Sequence, residues 1–285
     1  MNPSSNTTFY PINQDNIAEL DRLLMLDQSI TTMLEELLPP DIQLTSGQLV
    51  LDIACGPGGW PIEVARTYPD VDVIGIDINQ KMVRYAEAHA RAFQLRNVSF
   101  KVMNALEALA FPDNTFDLVN ARFASSFVPA LRWPAFIQEC VRIVRPGGVL
   151  RITDCEWMLC NGQATASYVE MLKQSMWHAQ LAFAPDALGI VPRLESFLRA
   201  TGLINLGHID RVLEYTCATP SYETWYQNLM IGASLILPFF LKLHVTTKEN
   251  FEQIYRQMDI EMREPEFYAR MPLLSAWGVK PYMFL

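Results

Sequence analysis

Two carboxylates set around a glycine turn are the groups in this chain best placed for chemistry. The turn lies in Val50-Leu51-Asp52-Ile53-Ala54-Cys55-Gly56-Pro57-Gly58-Gly59-Trp60, where the apolar run Leu49–Ile53 breaks into Gly56, Gly58 and Gly59. Pro61 follows at the place where a helix begins and its missing N–H costs little. Glycines there let backbone approach a ligand closely, because no Cβ stands in the way. Asp77 closes a second apolar run, Val71-Asp72-Val73-Ile74-Gly75-Ile76, about 20 residues further on, the spacing at which an acid binds ribose hydroxyls. Asp52 lies inside the first run, where a carboxylate is expensive to bury unless it accepts hydrogen bonds. Two readings stand for it: a pin that bonds backbone N–H groups of the turn, or a direct ligand contact. The dinucleotide pattern G-x-G-x-x-G opens in the same way, but its third glycine would fall at Pro61, which argues against NAD.

Three further stretches extend the pattern. They are Gly75-Ile76-Asp77, then Phe111-Pro112-Asp113-Asn114-Thr115-Phe116-Asp117-Leu118-Val119, then Arg145-Pro146-Gly147-Gly148. Together with the glycine turn, in this order and spacing, they resemble the class I S-adenosylmethionine-dependent methyltransferases. The likeness is close over about Gly47 to Cys155 and holds only in outline elsewhere. It implies S-adenosyl-L-methionine as cofactor, with Gly56 and Gly58 against its amino acid tail and Asp77 on its ribose. Ile78 and Met82 would sandwich the adenine, although Met82 also suits the core. Where the family carries an acid for the adenine amino group, this chain has Asn104-Ala105, whose amide oxygen can still accept. Asn120 should face the methionine end, and Arg122 after it suits a structural role as well as a cofactor contact.

Methyl transfer is an in-line displacement, so positioning and exclusion of water are the protein's main tasks. A general base is needed chiefly for a hydroxyl or a carbon acid. Glu156 and His178 are the candidates, with Asp154 behind them; each also reads as a cap, a surface charge or a satisfied polar group. The implied function is methyl transfer to a small, hydrophobic metabolite of the secondary-metabolism kind, with O, N and C acceptors open. A cyclase-type enzyme that uses the bound sulfonium without transfer is the alternative. A non-catalytic cofactor-binding subunit and an NAD dehydrogenase stand behind it.

The elements that must position these groups alternate. We expect strands near Leu49–Ile53, Val71–Ile76, Val98–Met103, Phe116–Asn120 and Gly148–Thr153, with helices near Pro61–Thr67, Gln80–Phe93 and Trp133–Val144. Alternation of this kind predicts an α/β fold with a doubly wound, mostly parallel sheet. A crossover helix at Pro192–Gly202, a sixth strand at Asn205–Thr216 and a strand over Leu274–Pro281 would complete seven strands, the last antiparallel as the resemblance implies. Residues 41–156, 191–218 and 271–285 then form the cofactor-binding core. Segments 157–190 and 219–270, rich in Met and aromatic residues such as Trp157, Trp177, Trp225 and Phe239, form helical lid insertions over an apolar substrate pocket. Residues 1–40 form an arm over the cofactor mouth: loose to residue 14, helical from an N-cap at Asp15 and stopped by Pro39-Pro40, with Tyr10 and Met25 near ligand.

Composition narrows the partners. The 285-residue chain is 50% hydrophobic and carries 22 basic against 31 acidic residues, a net charge of −9 that disfavours nucleic acid. Five cysteines without a C-x-x-C pair and a polar N-terminus without a signal peptide suggest a reduced, cytoplasmic protein. The four histidines lack metal-ligand spacing, so no metal is expected. The longest apolar run, Leu229–Leu241, is too short to span a bilayer, which takes about 20 residues. It reads as a buried lid helix or as a seam between copies in a homodimer.

Overall fold

A computed structural model describes residues 10–13, 16–34 and 37–282. The Asp15 cap and the first nine residues of the arm lie outside the described residues; Asn16 instead accepts the Ala18 N–H through Oδ1 at 3.0 Å as the first helix begins. In chain order the elements are α1 (Ile17–Leu34), β1 (Leu49–Ile53), α2 (Gly59–Thr67), β2 (Asp72–Asp77), α3 (Gln80–Ala92), β3 (Val98–Val102) and β4 (Phe116–Arg122). There follow α4 (Trp133–Ile143), β5 (Val144–Cys155), β6 (Leu159–Cys160), α5 (Gln163–His178), α6 (Val191–Ala200), β7 (Ile204–Thr216), α7 (Tyr222–Lys242), α8 (Lys248–Glu261) and β8 (Tyr268–Val279).

β1 to β5 run parallel in the order β3-β2-β1-β4-β5, and β8 closes onto β5 antiparallel, with β7 antiparallel on β8. This is the expected doubly wound sheet. Strand order reverses at β1, which has β2 on one side and β4 on the other, so the ligand crevice opens at the carboxyl ends of those strands. Alternate residues of the buried strands feed both faces. Leu51, Ile53, Val119 and Ile152 pack with Trp133 and Ile137 of α4 and Leu194 of α6, while Val50, Val73 and Leu118 pack with Trp60 and Val64 of α2.

Three strands depart from expectation. β8 begins at Tyr268 rather than Leu274, because the β7–β8 ladder continues beyond the sheet from Arg211↔Leu273 to Thr216↔Tyr268. Pro272 breaks the strand pattern in sequence; in the structure its carbonyl accepts the Glu156 N–H at 2.9 Å. The two-residue β6 is an eighth strand, pairing Leu159 with Arg270 and Cys160 with Ala269 on this extension. β5 starts at Val144, and a register shift between Phe116 and Leu118 of β4 absorbs its Arg145-Pro146-Gly147-Gly148 segment.

The outer half of the β7–β8 hairpin roots a second apolar cluster. Leu213, Tyr215 and Leu273 meet Tyr168 and Met171 of α5, Trp225 and Phe240 of α7, and Phe251 and Met258 of α8. Tyr215 stacks on Trp225 with ring centroids 4.3 Å apart. Among the described residues no helix is long and apolar enough to cross a membrane.

Gly58 belongs to the packing of this frame. Its φ is +85°, and a Cβ would stand 2.6 Å from Ala86 Cβ and 2.9 Å from Phe100 Cε1. Gly58→Ala should therefore destabilise the fold by about 2 kcal/mol through backbone strain and overpacking. A fall in the urea midpoint at unchanged m would show it, and an unshifted midpoint would refute it.

Candidate functional site

One cavity of about 900 Å³ opens at the strand tips. Its floor comes from the ends of β1, β2 and β3: Asp52, Gly56, Asp77, Ile78, Met82 and the Asn104-Ala105 pair all line it. Its roof comes from elsewhere in the chain, with Tyr10, Arg22 and Asp27 from the arm and α1, Tyr168 and Leu172 from α5, and Leu229 and Ile236 from α7.

The turn between β1 and α2 is shaped by its backbone. Ala54, Gly56 and Gly58 all have positive φ, and the space a Cβ would take at Gly56 is open, with nothing within 4 Å. Asp77 holds that turn in place. Its Oδ2 accepts the Gly56 N–H at 2.9 Å and its Oδ1 accepts the Asn79 N–H at 2.8 Å. Burial pushes the Asp77 carboxyl above its usual range, and the N–H groups of Asn79, Gly56 and Ile78 pull it back. The carboxylate keeps a lone pair for a hydroxyl donor from the cavity.

Asp52 takes a side-chain partner. It accepts a 2.7 Å hydrogen bond from Asn120 Nδ2. Burial pushes its carboxyl up to about 7, against the pull of the Arg122 charge and the Asn120 bond. Asn120 is fully buried and does not line the cavity, so it orients Asp52 instead of facing the methionine end of a cofactor. Gly58 is likewise absent from the cavity wall; it packs on α3 and β3. Asn104 spans a local turn, accepting from Leu106 N at 3.0 Å and donating to Glu107 at 2.8 Å.

The expected bases are not brought to the cavity. Glu156 Oε1 accepts the Gly189 N–H at 2.6 Å and fastens the loop before α6, with burial raising its carboxyl. His178 is exposed at the end of α5. Asp154 is sealed beneath the 3-10 turn at Ala124–Ser126, where it accepts from Ser125 N, Ser125 Oγ and Cys155 N at 2.9, 2.6 and 2.9 Å. Burial pushes it up to about 6. Met25 stays outside the lining, whereas Tyr10 is in it.

An ion pair that sequence reasoning missed crosses the cavity mouth. Arg122, at the end of β4, binds Asp27 of α1, and both line the cavity. The Asp27 carboxylate lies where Gly59 lacks a side chain, 1.5 Å from the place a Cβ would occupy. Gly59 is therefore the glycine that seats α1 on α2. Arg122 was visible two residues beyond Asn120, but Asp27 carries no local signal, since its partner lies 95 residues away. Beside it Arg22 forms a fork on buried Glu19, at 2.6 and 2.7 Å, which also accepts from the Tyr10 hydroxyl at 2.8 Å. Asn228 of α7 donates to the Arg22 carbonyl and so ties α7 to α1. Among the described residues no three His, Cys, Asp or Glu side chains gather as a metal site.

Asp52 gives stability an unusual slope with pH. Its folded-state value near 7 lies above the ordinary carboxylate range of about 4, so the folded state holds a proton the unfolded chain releases. Stability contributed by that proton is full below pH of about 4 and is lost as pH rises to about 7, a change of a few kcal/mol at most. Asp52→Asn removes the effect, so its stability relative to wild type should climb between pH 5 and 8 in urea titrations. A constant difference over that range would count against the assignment.

Residues 50–148 match a family described as a methyltransferase domain. Among curated relatives, the chain is 29% identical over 156 residues to methyltransferase str3 of Strobilurus tenacellus, covering 55% of this chain and 52% of that protein. The chain thus spans about half the length of that relative. Among solved structures, the YcgJ protein of Bacillus subtilis aligns over 90% of this chain and 99% of its own at a TM-score of 0.55 and 17% identity. Phosphoethanolamine N-methyltransferase 2 of Haemonchus contortus, solved with S-adenosylhomocysteine, aligns over 90% of this chain and 53% of its own at a TM-score of 0.53 and 19% identity. At such identities the two structures speak for the fold, and the family match spans the glycine turn, Asp77 and the Arg145–Gly148 segment. Over residues 50–148 the chain thus resembles a methyltransferase domain, set in the α/β fold of the solved structures it aligns with.

Proposed function

We propose that the chain transfers a methyl group from S-adenosyl-L-methionine to a small, largely apolar metabolite. One observation carries this reading: a single cavity joins the polar strand tips to an apolar roof built by α1, α5 and α7. Its volume of about 900 Å³ sits near the top of the range for small-molecule sites, about 300–1,000 Å³, and leaves room for two ligands side by side. Asp77 would hold the ribose hydroxyls, Ile78 and Met82 the faces of the adenine, and Asn104 with Ala105 its edge. Gly56 leaves the open backbone that the amino acid end needs.

That end is a zwitterion, and the Asp27–Arg122 pair offers a charge of each sign to it. Arg122 would take the carboxylate and Asp27, with Asp52 behind it, the ammonium. When bound, the cofactor supplies an electrophilic methyl on a sulfonium, and the chain's own residues orient it and keep water out. α1 acts as a cover over the cofactor mouth, and α5 and α7 act as a lid over the acceptor. The excess of acid over base supports a small-molecule substrate rather than nucleic acid, and five free cysteines support a reducing, cytoplasmic setting.

Asp77→Ala should raise the dissociation constant for S-adenosylmethionine about 100-fold, the equivalent of one or two charge-assisted hydrogen bonds. Arg122→Met should weaken S-adenosylmethionine by a similar factor yet leave 5′-methylthioadenosine, which lacks the amino acid end, within about twofold. Calorimetry reads both. Unchanged affinity in Asp77→Ala would overturn the cofactor placement, and equal losses for the two ligands would remove Arg122 from it.

A further inference from the structure

The acceptor end of the cavity holds hydrogen-bond donors and no free base. Phe123, Phe127, Met176, Leu188, Leu229 and Ile236 make it apolar. Among the described residues that line the cavity there is neither histidine nor glutamate, and its three carboxylates are engaged at the cofactor end. Asp27 is on Arg122, Asp52 on Asn120, and Asp77 on two backbone N–H groups. Cys155, Tyr10 and Tyr168 line the cavity as well, and burial pushes all three above their ordinary values, so they stay protonated at neutral pH. Glu156, His178 and Asp154, the other groups near β5 and α5, do not reach the cavity wall.

The polar groups that do face the acceptor end are cationic or can donate. Arg22 lines it with its charge balanced by the sealed Glu19, and the Tyr168 hydroxyl beside Arg22 has no hydrogen-bond partner among the described residues. An ammonium would meet the sulfonium there with no free carboxylate to offset it. A neutral alcohol or phenol would have to lose its proton with nothing to take it.

We propose, on the reading of the chain as an S-adenosylmethionine-dependent transferase, that the acceptor is an apolar oxygen acid that binds already ionised. Its class is a carboxylic acid or a hydroxyl conjugated to a carbonyl. The acid gives its proton to solvent before entry. One oxygen of the delocalised anion is held by the Tyr168 hydroxyl and Arg22, and the other attacks the methyl carbon. An O–C bond forms as the C–S bond breaks with its electron pair going to sulfur, and the anion and the sulfonium become a neutral ester or enol ether and a neutral thioether. Opposite charges thus draw the two substrates together in an apolar chamber, and the attraction vanishes once the methyl has moved, which favours release.

Three naphthalene probes of matched size test this: 2-hydroxy-1,4-naphthoquinone, an anion at neutral pH; 1-naphthol, neutral; and 1-naphthylmethylamine, a cation. With saturating S-adenosylmethionine, product mass should show O-methylation of the hydroxyquinone at a rate flat within about twofold from pH 7 to 9. 1-Naphthol should react slowly, about tenfold faster per pH unit as its own anion appears, and the amine should not react. By calorimetry the hydroxyquinone should bind the complex with sinefungin, whose amine carries a positive charge in place of the sulfonium, at least tenfold more tightly than the neutral S-adenosylhomocysteine complex. Tyr168→Phe should raise the hydroxyquinone KM about tenfold, one hydrogen bond to a charged group, at unchanged kcat and unchanged S-adenosylmethionine affinity. Faster turnover of the naphthol or the amine at pH 7, no product from any probe while the cofactor binds, equal affinity with the two cofactor analogues, or an unmoved KM would each overturn the proposal. Loss of S-adenosylmethionine binding itself would instead strike the underlying reading.

Discussion

The carboxylate of Asp77 clasping the Gly56 N–H is the contact on which the rest of the site depends. β1 and β2 are neighbouring parallel strands that end level, with Ile53 opposite Ile76. The chain leaving β1 must turn at once into α2, and it does so through three residues of positive φ. Such a turn has backbone N–H groups with no ladder partner, and an acid at the tip of β2 satisfies one of them. Because Asp77 belongs to the buried end of its strand, its position is fixed by the sheet and not by the loop. The floor of the cavity is therefore as rigid as the core beneath it.

The same floor shows why burying acids is tolerable here. Asp52, Asp77 and Asp154 are all buried, and burial raises each of them; Asp52 and Asp154 reach about 7 and 6. Two of the three are held mainly by N–H donors, which offset part of the desolvation cost without importing a full counter-charge. Asp52 instead leans on the Asn120 amide and on the field of Arg122. Asp52 and Asp77 line the cavity at the strand tips, while Asp154 stays sealed beneath the 3-10 turn.

Much of this was legible in the chain. Glycine spacing, the position of Asp77 and the Arg145–Gly148 segment are local patterns, and local patterns survive in sequence because a turn or a strand end constrains neighbours. The mostly parallel sheet followed from the alternation of apolar runs with helical ones. Errors fell where a residue's task is set by something distant. Gly58 reads as a ligand glycine, yet the reason it lacks a side chain is Phe100 on β3. Asn120 reads as a ligand residue, yet its partner is Asp52 on the adjacent strand, at the same level of the parallel pair. Glu156 follows β5 where a base would be useful, but the loop at Gly189 claims it. The start of β8 was hidden by Pro272, since the pairing that makes it a strand comes from β7, about sixty residues earlier.

The hidden start of β8 also explains how helices from two separate segments become one roof. Cores of this fold end at the sheet, and an inserted helix on its own has nothing apolar to lie against. Here β7 and β8 run on past the sheet as a two-stranded ribbon, and β6 adds a short third strand to it. A bare hairpin is marginal in water, so the ribbon needs a covered face. α5, α7 and α8 supply it, through the Tyr215–Trp225 stack and the aromatic and methionine side chains around it. Asn228 then joins α7 to α1 by its bond to the Arg22 carbonyl, and Asp27 joins α1 to β4 and the glycine turn. The roof is thus bound to the floor at both ends, by the Asp27–Arg122 ion pair at one and by the ribbon at the other. A shift of α1 would move both ends together, so the shape of the whole cavity is set by one helix.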